Sequence, residues 1–262
     1  MSLIRSLRLC ELVWLVGLLY YTNPHLMSFA NAETCIEADS GRRIEMFGAE
    51  HIDRSQMCGV AEPEPNCHTS VDQIRFDFVL PRVASRLSRE HALKIVAIGS
   101  SSTFGAGATS PSAAYPSRLA SELDRRFPEA EITVLNRGAS GEELSQMVAR
   151  IENDVIAEKP DLVLWQVGTN FVLRDRPLDA RGTLLHNGIA RLKATGAEVV
   201  LIDPQFAPKV IVKPGVEDML ALLTQVAETE KVNLFHRYSM MQRWYASDKL
   251  PLQRLYRRMA CT

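Results

Sequence analysis

The chain has 262 residues, 46% of them hydrophobic, and a formal charge of −1 at pH 7. This is an ordinary globular composition with room for one α/β domain and an extension. Near-neutral charge supplies no basic stripe to neutralise phosphates, which argues against a nucleic-acid partner.

The first thirty-odd residues read as an export signal rather than as part of the fold. Arg5 and Arg8 form a positive start, and Leu12 to Tyr21 is an apolar run too short to span a bilayer comfortably. Ala30-Asn31-Ala32 supplies the small-x-small pattern of a cleavage site, expected after Ala32. The expected location is therefore periplasmic or secreted, the alternative being a membrane anchor left uncleaved. After cleavage no stable membrane span is expected.

Five cysteines fit an exported chain. Cys10 leaves with the signal, Cys35, Cys58 and Cys67 cluster early, and Cys261 stands alone near the end. An oxidising compartment favours one disulfide within the early trio, and Cys58–Cys67 closes the shortest loop, although the pairing is not fixed by sequence. Their spacings match no zinc pattern. Residues 33–92 have weak periodicity and turn material such as Glu62-Pro-Glu-Pro-Asn66, so a loop-rich extension is expected there.

From Lys94 the pattern becomes regular. Ile95–Ile98 is a β-branched run that stops at Gly99, and Ala113–Phe127 reads as a helix with Tyr115, Leu119 and Leu123 on one stripe. Glu131–Asn136 is a second strand. Glu142–Glu158 is a helix with Leu144, Val148, Ile151 and Val155 at three- and four-residue steps, ended by Lys159-Pro160. Asp161–Val167 is a near-continuous apolar run, as suits a strand covered on both faces. A helix near Asp179–Ala194, a strand at Glu198–Ile202, a helix at Val216–Lys231 and a strand at Asn233–Phe235 complete the alternation. Strands alternating with helices of this length predict a parallel sheet with helices on both sides, residues 93–262 forming the domain.

Ligands of an open parallel sheet bind outside the carboxyl ends of its strands. The first three strands run into Gly99-Ser-Ser-Ser-Thr103, Asn136-Arg-Gly-Ala-Ser-Gly141 and Gly168-Thr-Asn170. One rim thus receives a hydroxyl cluster, a glycine-rich turn and a side-chain amide. Acyl transfer asks for that set: a nucleophilic hydroxyl, and N–H donors aimed at the developing oxyanion. Nucleotide binding fares poorly, because Gly105-Ala-Gly107 lacks the third glycine of the dinucleotide fingerprint and no Gly-Lys-Ser/Thr loop is present.

Gly99-Ser-Ser-Ser-Thr-Phe-Gly105 resembles the first block of the SGNH (GDSL-type) hydrolases, Asn136 to Gly141 the second and Gly168-Thr-Asn170 the third. The resemblance covers about residues 93–245. It implies a flavodoxin-like three-layer α/β/α sandwich with a parallel sheet. It also implies Ser101 as the nucleophile, with the Gly141 N–H, the Asn170 side-chain N–H and the Ser101 backbone N–H as the oxyanion hole. Ser100 stands where the family often has Asp. Trp165 and Phe171 flank the third block within reach of an acyl group, and Trp165, inside a strand, is expected in the core. No metal or organic cofactor is implied.

The family also carries an Asp-x-x-His block near the C-terminus, whose His takes the serine proton and whose Asp orients it. None of His25, His51, His68, His91, His186 and His236 has Asp three residues earlier. His236 reads as a structural or surface residue and His186 as a solvated one. The end of the chain, Arg258-Met-Ala-Cys-Thr262, permits Asp-Gly-Leu-His when read from the last base of the Arg258 codon. The expectation is a C-terminally truncated, frameshifted chain without the helix that follows that block, and hence marginal folding.

The reading is an exported serine esterase or acyl-ester hydrolase working through an acyl-enzyme on Ser101, impaired here by the absent Asp/His block. Its substrate would be a small-molecule, carbohydrate or lipid acyl ester. The alternatives are a non-catalytic glycan- or acyl-binding module of the same fold, and an O-acyltransferase of an envelope polysaccharide.

Overall fold

A computed structural model describes residues 75–177 and 181–248. The signal segment, the early cysteines, Cys261 and the C-terminal pentapeptide all lie outside the described residues, so the expectations placed on them are not addressed.

Five strands form one sheet: β1 (Ala92–Gly99), β2 (Glu131–Gly138), β3 (Leu162–Gln166), β4 (Glu198–Ile202) and β5 (Asn233–Phe235). Their order is β2-β1-β3-β4-β5, and every pairing is parallel. This is the doubly wound flavodoxin-like order, whose switch point lies between the strands on either side of β1. All five β3 residues are buried, as a central parallel strand requires, whereas β2 at the sheet edge is only partly covered.

The chain from β1 to β2 and the chain from β2 to β3 cross the sheet in opposite directions. Right-handed crossovers therefore send α3 (Tyr115–Arg126) and α4 (Leu144–Asp154) to opposite faces. α4 packs on α6 (Arg181–Ala194) and α6 on α8 (Val216–Glu230), making one layer. Local chemistry sets the ends of these helices. Pro116 opens α3, a reciprocal Glu143–Gln146 capping box opens α4, and Lys231 in the left-handed conformation (φ 51°) closes α8.

Four helical pieces were not expected from sequence: α1 (Pro81–Ser85, continued by a wider turn through Glu90), α2 (Ser101–Phe104), α5 (Thr169–Leu173) and α7 (Pro208–Ile211). A fifth, α9 (Arg237–Asp248), follows β5 directly and buries Tyr238, Met241 and Trp244. Among the described residues no helix is long and apolar enough to cross a membrane.

Residues 76–90 belong to the core, burying Phe76, Leu80, Val83 and Leu87. Buried polar groups hold this segment to the amino edge of the sheet. Glu198 accepts the Arg82 and Val83 N–H groups at 3.0 and 2.9 Å, capping α1 from β4. Burial raises its carboxyl above the usual range, and those two bonds oppose the rise. Asp161 takes Arg82 Nε and the Lys94 N–H, both at 3.0 Å. Phe78 exchanges two 2.9 Å bonds with the Asn233 side chain, closing off the edge beside β5.

Two expected outcomes test this packing. A Cβ at Gly188 would lie 2.3 Å from the ring of Trp165, which is fully buried under α6 as its place in a strand predicted. Gly188→Ala should lower stability by about 1–3 kcal/mol in urea unfolding through overpacking; an unchanged midpoint would refute the close fit. Asp203, fully buried after β4, accepts the Tyr238 N–H at 2.8 Å, and burial raises its pKa to about 7. The unfolded carboxyl releases its proton near pH 4, so the native state holds the extra proton between pH 4 and 7. Its stabilising contribution is full below that window and is lost as pH rises through about 7. Asp203→Asn keeps the acceptor without the charge. The melting temperature of the wild type should therefore fall relative to this variant between pH 4 and 7, and parallel curves would count against it.

Candidate active site

β1 ends at Gly99, and Ser100 opens the single turn of α2, its carbonyl accepting the Thr103 and Phe104 N–H groups at 3.1 and 2.9 Å. Ser101 stands half-buried at the first position of that turn. Beside it, β2 ends with Gly138 opposite Gly99, and the Ala139 N–H donates to the Gly99 carbonyl at 2.9 Å. A side chain at Gly138 would put a Cβ 2.2 Å from the Phe104 nitrogen, so only glycine lets the second turn lie this close to α2.

The second turn is tied to the third. Asn170 Nδ2 donates to the Glu142 carbonyl at 2.8 Å, and Arg174 Nη2 to the Gly141 carbonyl at 2.9 Å, while Arg174 Nη1 pairs with the Glu143 carboxylate. Gly141 has φ +81°, the left-handed region that favours glycine. Among the described residues neither the Gly141 N–H nor the Ser101 N–H meets an intramolecular acceptor. Asn170 has engaged one of its two amide hydrogens. Because β1 lies between β2 and β3, Ser101 stands on the strand flanked by those that lead to Gly141 and to Asn170.

Side chains missed in the sequence hold the serine turn from behind. Gln166, the last residue of β3 and fully buried, accepts at Oε1 from the Ser100 N–H, Ser100 Oγ and Ser102 Oγ, each at 3.1 Å. Its Nε2 donates to Thr169 Oγ1 at 3.2 Å, and Thr169 donates to Gln205 Oε1 at 3.0 Å. Arg237, buried at the start of α9, donates to Gln205 Oε1 at 3.0 Å and to Ser102 Oγ at 3.4 Å, which closes a ring. The same guanidinium reaches the Asp203 carbonyl at 2.8 and 3.1 Å. One signal was legible: Gln166 is the polar end of an otherwise apolar strand. Gln205 and Arg237 carried none, because only the fold brings them to the serines.

The described histidines do not join this group. His91 lies before β1, at the opposite edge of the sheet. His186 Nδ1 pairs with Glu230 at 2.7 Å between α6 and α8, and so is partnered rather than simply solvated. His236 is about half-exposed just past β5, with Nδ1 3.9 Å from Asp203 Oδ2. Burial of the ring lowers its pKa and the nearby Asp77 charge opposes this. Among the described residues no group of His, Cys, Asp and Glu is placed to hold a metal.

A cavity adjoins Asn170. Ser100, Glu142 and Thr169 line it from the rim, and Met147, Phe171 and Met219 are among its apolar walls.

Known proteins resemble this chain in sequence and in fold. A segment of 64 residues, 24% of the chain, is 41% identical to an acetylxylan esterase of Geobacillus stearothermophilus, and it spans 29% of that relative. A solved variant of an acetyl-xylooligosaccharide esterase from the same organism superposes with a TM-score of 0.53, at 23% identity, over 64% of this chain and 90% of that one. An α/β hydrolase from the metagenome of Lake Arreo gives a TM-score of 0.53 at 25% identity with the same coverage. Residues 66–262 match the family model described as the non-GDSL lipase-like family, and the chain therefore belongs to that family.

Proposed function

We propose that this protein is an exported esterase that cleaves acyl esters through Ser101. The observation that carries the reading is the arrangement of unused donors. The N–H groups of Ser101 and Gly141 have no acceptor in the described fold, and the Asn170 amide has one hydrogen left, on three neighbouring strand ends. Donors held in place before charge develops are what a tetrahedral oxyanion requires. Ser101 Oγ attacks the ester carbonyl, the alkoxide leaves with a proton, and water resolves the acyl-enzyme. The named activities of the relatives, on acetylated xylan and acetylated xylo-oligosaccharides, support an ester carried on a carbohydrate.

Proton removal is the weak step. No described histidine contacts the serine turn, and Arg237 cannot accept a proton. Slow turnover is expected, with the acyl-enzyme persisting because its hydrolysis also calls for a base.

Incubation with p-nitrophenyl acetate followed by peptide mass spectrometry should find an acetyl group on Ser101 and none in Ser101→Ala. Added imidazole should speed turnover of the wild type only. Acetylation elsewhere, or imidazole rescue of the alanine variant, would overturn the assignment. Asn170→Ala should slow acylation by about 10²–10³-fold, the loss typical of one oxyanion donor, and an unchanged acylation rate would remove Asn170 from the site.

A further inference from the structure

The turn that carries the Gly141 N–H is weakly held at one point. On one side of it the Ala139 N–H donates to the Gly99 carbonyl at 2.9 Å, and on the other Asn170 holds the Glu142 carbonyl at 2.8 Å. Between them the Glu142 N–H reaches the Ala139 carbonyl only at 3.4 Å, a long bond. Gly141 has no Cβ to resist rotation of the peptides on either side, and its φ of +81° is one of several conformations open to glycine. Such a rotation would turn the Gly141 N–H away from the rim. Arg174 supplies the missing hold. Its backbone N–H caps α5 by donating to the Asn170 carbonyl at 3.1 Å, and its Nη2 donates to the Gly141 carbonyl at 2.9 Å. One residue thus joins the two that carry unused side-chain and backbone donors.

We propose that Arg174 is the positioning residue of the oxyanion donors: its guanidinium locks the Gly141–Glu142 peptide and so keeps the Gly141 N–H in register with the Asn170 amide. The proposal rests on the assignment of Ser101, Gly141 and Asn170 to the reacting centre. The guanidinium is itself fixed, because Nη1 pairs with the Glu143 carboxylate, which also caps α4 through the Gln146 N–H and has Arg176 Nε 3.7 Å away. A planar fork holds the carbonyl and the carboxylate at once, along two set directions. An ammonium on a flexible stem keeps the charge without fixing both. The Arg174 side chain is 44% exposed, so its truncation opens no buried void, and Glu143 keeps its helix cap and Arg176. Arg191 of α6 offers a comparison farther along α4, where it donates to the Val148 carbonyl at 3.0 Å and pairs with Glu152 at 2.9 Å.

The test follows acetylation of Ser101 by p-nitrophenyl acetate in the full chain, by mass spectrometry, over a range of ester concentrations. Arg174→Ala should lower the maximal rate about tenfold to a hundredfold and leave the half-saturating concentration unchanged, since a misplaced donor is felt mainly where charge develops. Arg174→Lys should recover little of that loss. Arg191→Ala should keep the wild-type rate, and its urea midpoint should match that of Arg174→Ala, which separates positioning from folding. Methylboronic acid gives a second readout: Ser101 Oγ bonds to boron, the serine proton passes to water, and the tetrahedral adduct carries the negative charge. Arg174→Ala should weaken this adduct by the same factor as the rate. An unchanged rate, a loss confined to the half-saturating concentration, full activity in Arg174→Lys, an equal loss in Arg191→Ala, or an unchanged boronate affinity would each overturn the proposal. Acetylation of Ser101 that Arg174→Ala leaves intact ends this assignment alone, whereas no acetylation in the wild type ends the esterase reading and the assignment with it.

Discussion

The carboxamide of Gln166 is the constraint on which the rim depends. Its one oxygen takes a backbone N–H and two hydroxyls from the serine turn, and its nitrogen passes the chain of bonds on to Thr169. An amide does both at once, through separate oxygen and nitrogen atoms. A carboxylate would accept from the serines but could not donate to Thr169, and an apolar side chain would leave buried hydroxyls unsatisfied, each at a cost of about 1–3 kcal/mol. The bond directions around the ring are mutually consistent. Arg237, which can only donate, supplies both Ser102 and Gln205, and every acceptor downstream is an amide oxygen or a hydroxyl. A fully satisfied buried network of this sort is stiff, and it fixes the turn that carries Ser101 against the ends of β3, β4 and β5.

The front of the rim is organised by carbonyls. Asn170 and Arg174 draw the Glu142 and Gly141 carbonyls toward the segment after β3. Because a peptide unit is planar, pinning successive carbonyls fixes the planes that follow Gly141 and limits how that residue can turn. Arg150 acts from α4 in the same way, donating to the Arg137 carbonyl at 2.7 Å and pairing with Glu142 at 2.7 Å. The glycine-rich turn is thus held by two arginines and an amide, although its own residues carry little side chain. Among the described residues its N–H at Gly141 is left over once those bonds are made, which is the condition a donor must meet to serve a reacting oxygen.

The legible part of this protein was the part governed by local chemistry. A β-branched run at 95–98, an apolar run at 162–165, and glycine at the strand ends are direct statements about strands and tight turns. The strand order brings together three turns that could be read one at a time. Residues 81–90 and α9 were harder, for a physical reason. The wider helical turn at Arg86–Glu90 departs from the 3.6-residue period on which a helix is recognised. α9 starts one residue after a three-residue strand, and its first residue is an arginine that is buried rather than solvated. A buried arginine inverts the pattern that sequence reading relies on. The ring that buries it exists only when four strands are side by side, so no stretch of sequence contains it.

On the proposed reading, Arg237 also shows which half of serine chemistry the described residues of the rim supply. Its charge, held behind Ser102, favours negative charge on the neighbouring hydroxyl and carbonyl oxygens, and low dielectric strengthens that effect. It cannot remove a proton. The residues beside it are no better placed: Asp203 is turned to the Tyr238 N–H, and His236, just past β5, has its Nδ1 3.9 Å from Asp203 Oδ2. On the proposed reading, the described fold therefore lowers the energy of the oxyanion without lowering the barrier to forming the alkoxide. Substrate binding energy can raise acylation only to the extent that the hydroxyl is already being deprotonated. The proton acceptor, whichever group provides it, is thus the element that decides whether this well-ordered rim turns over.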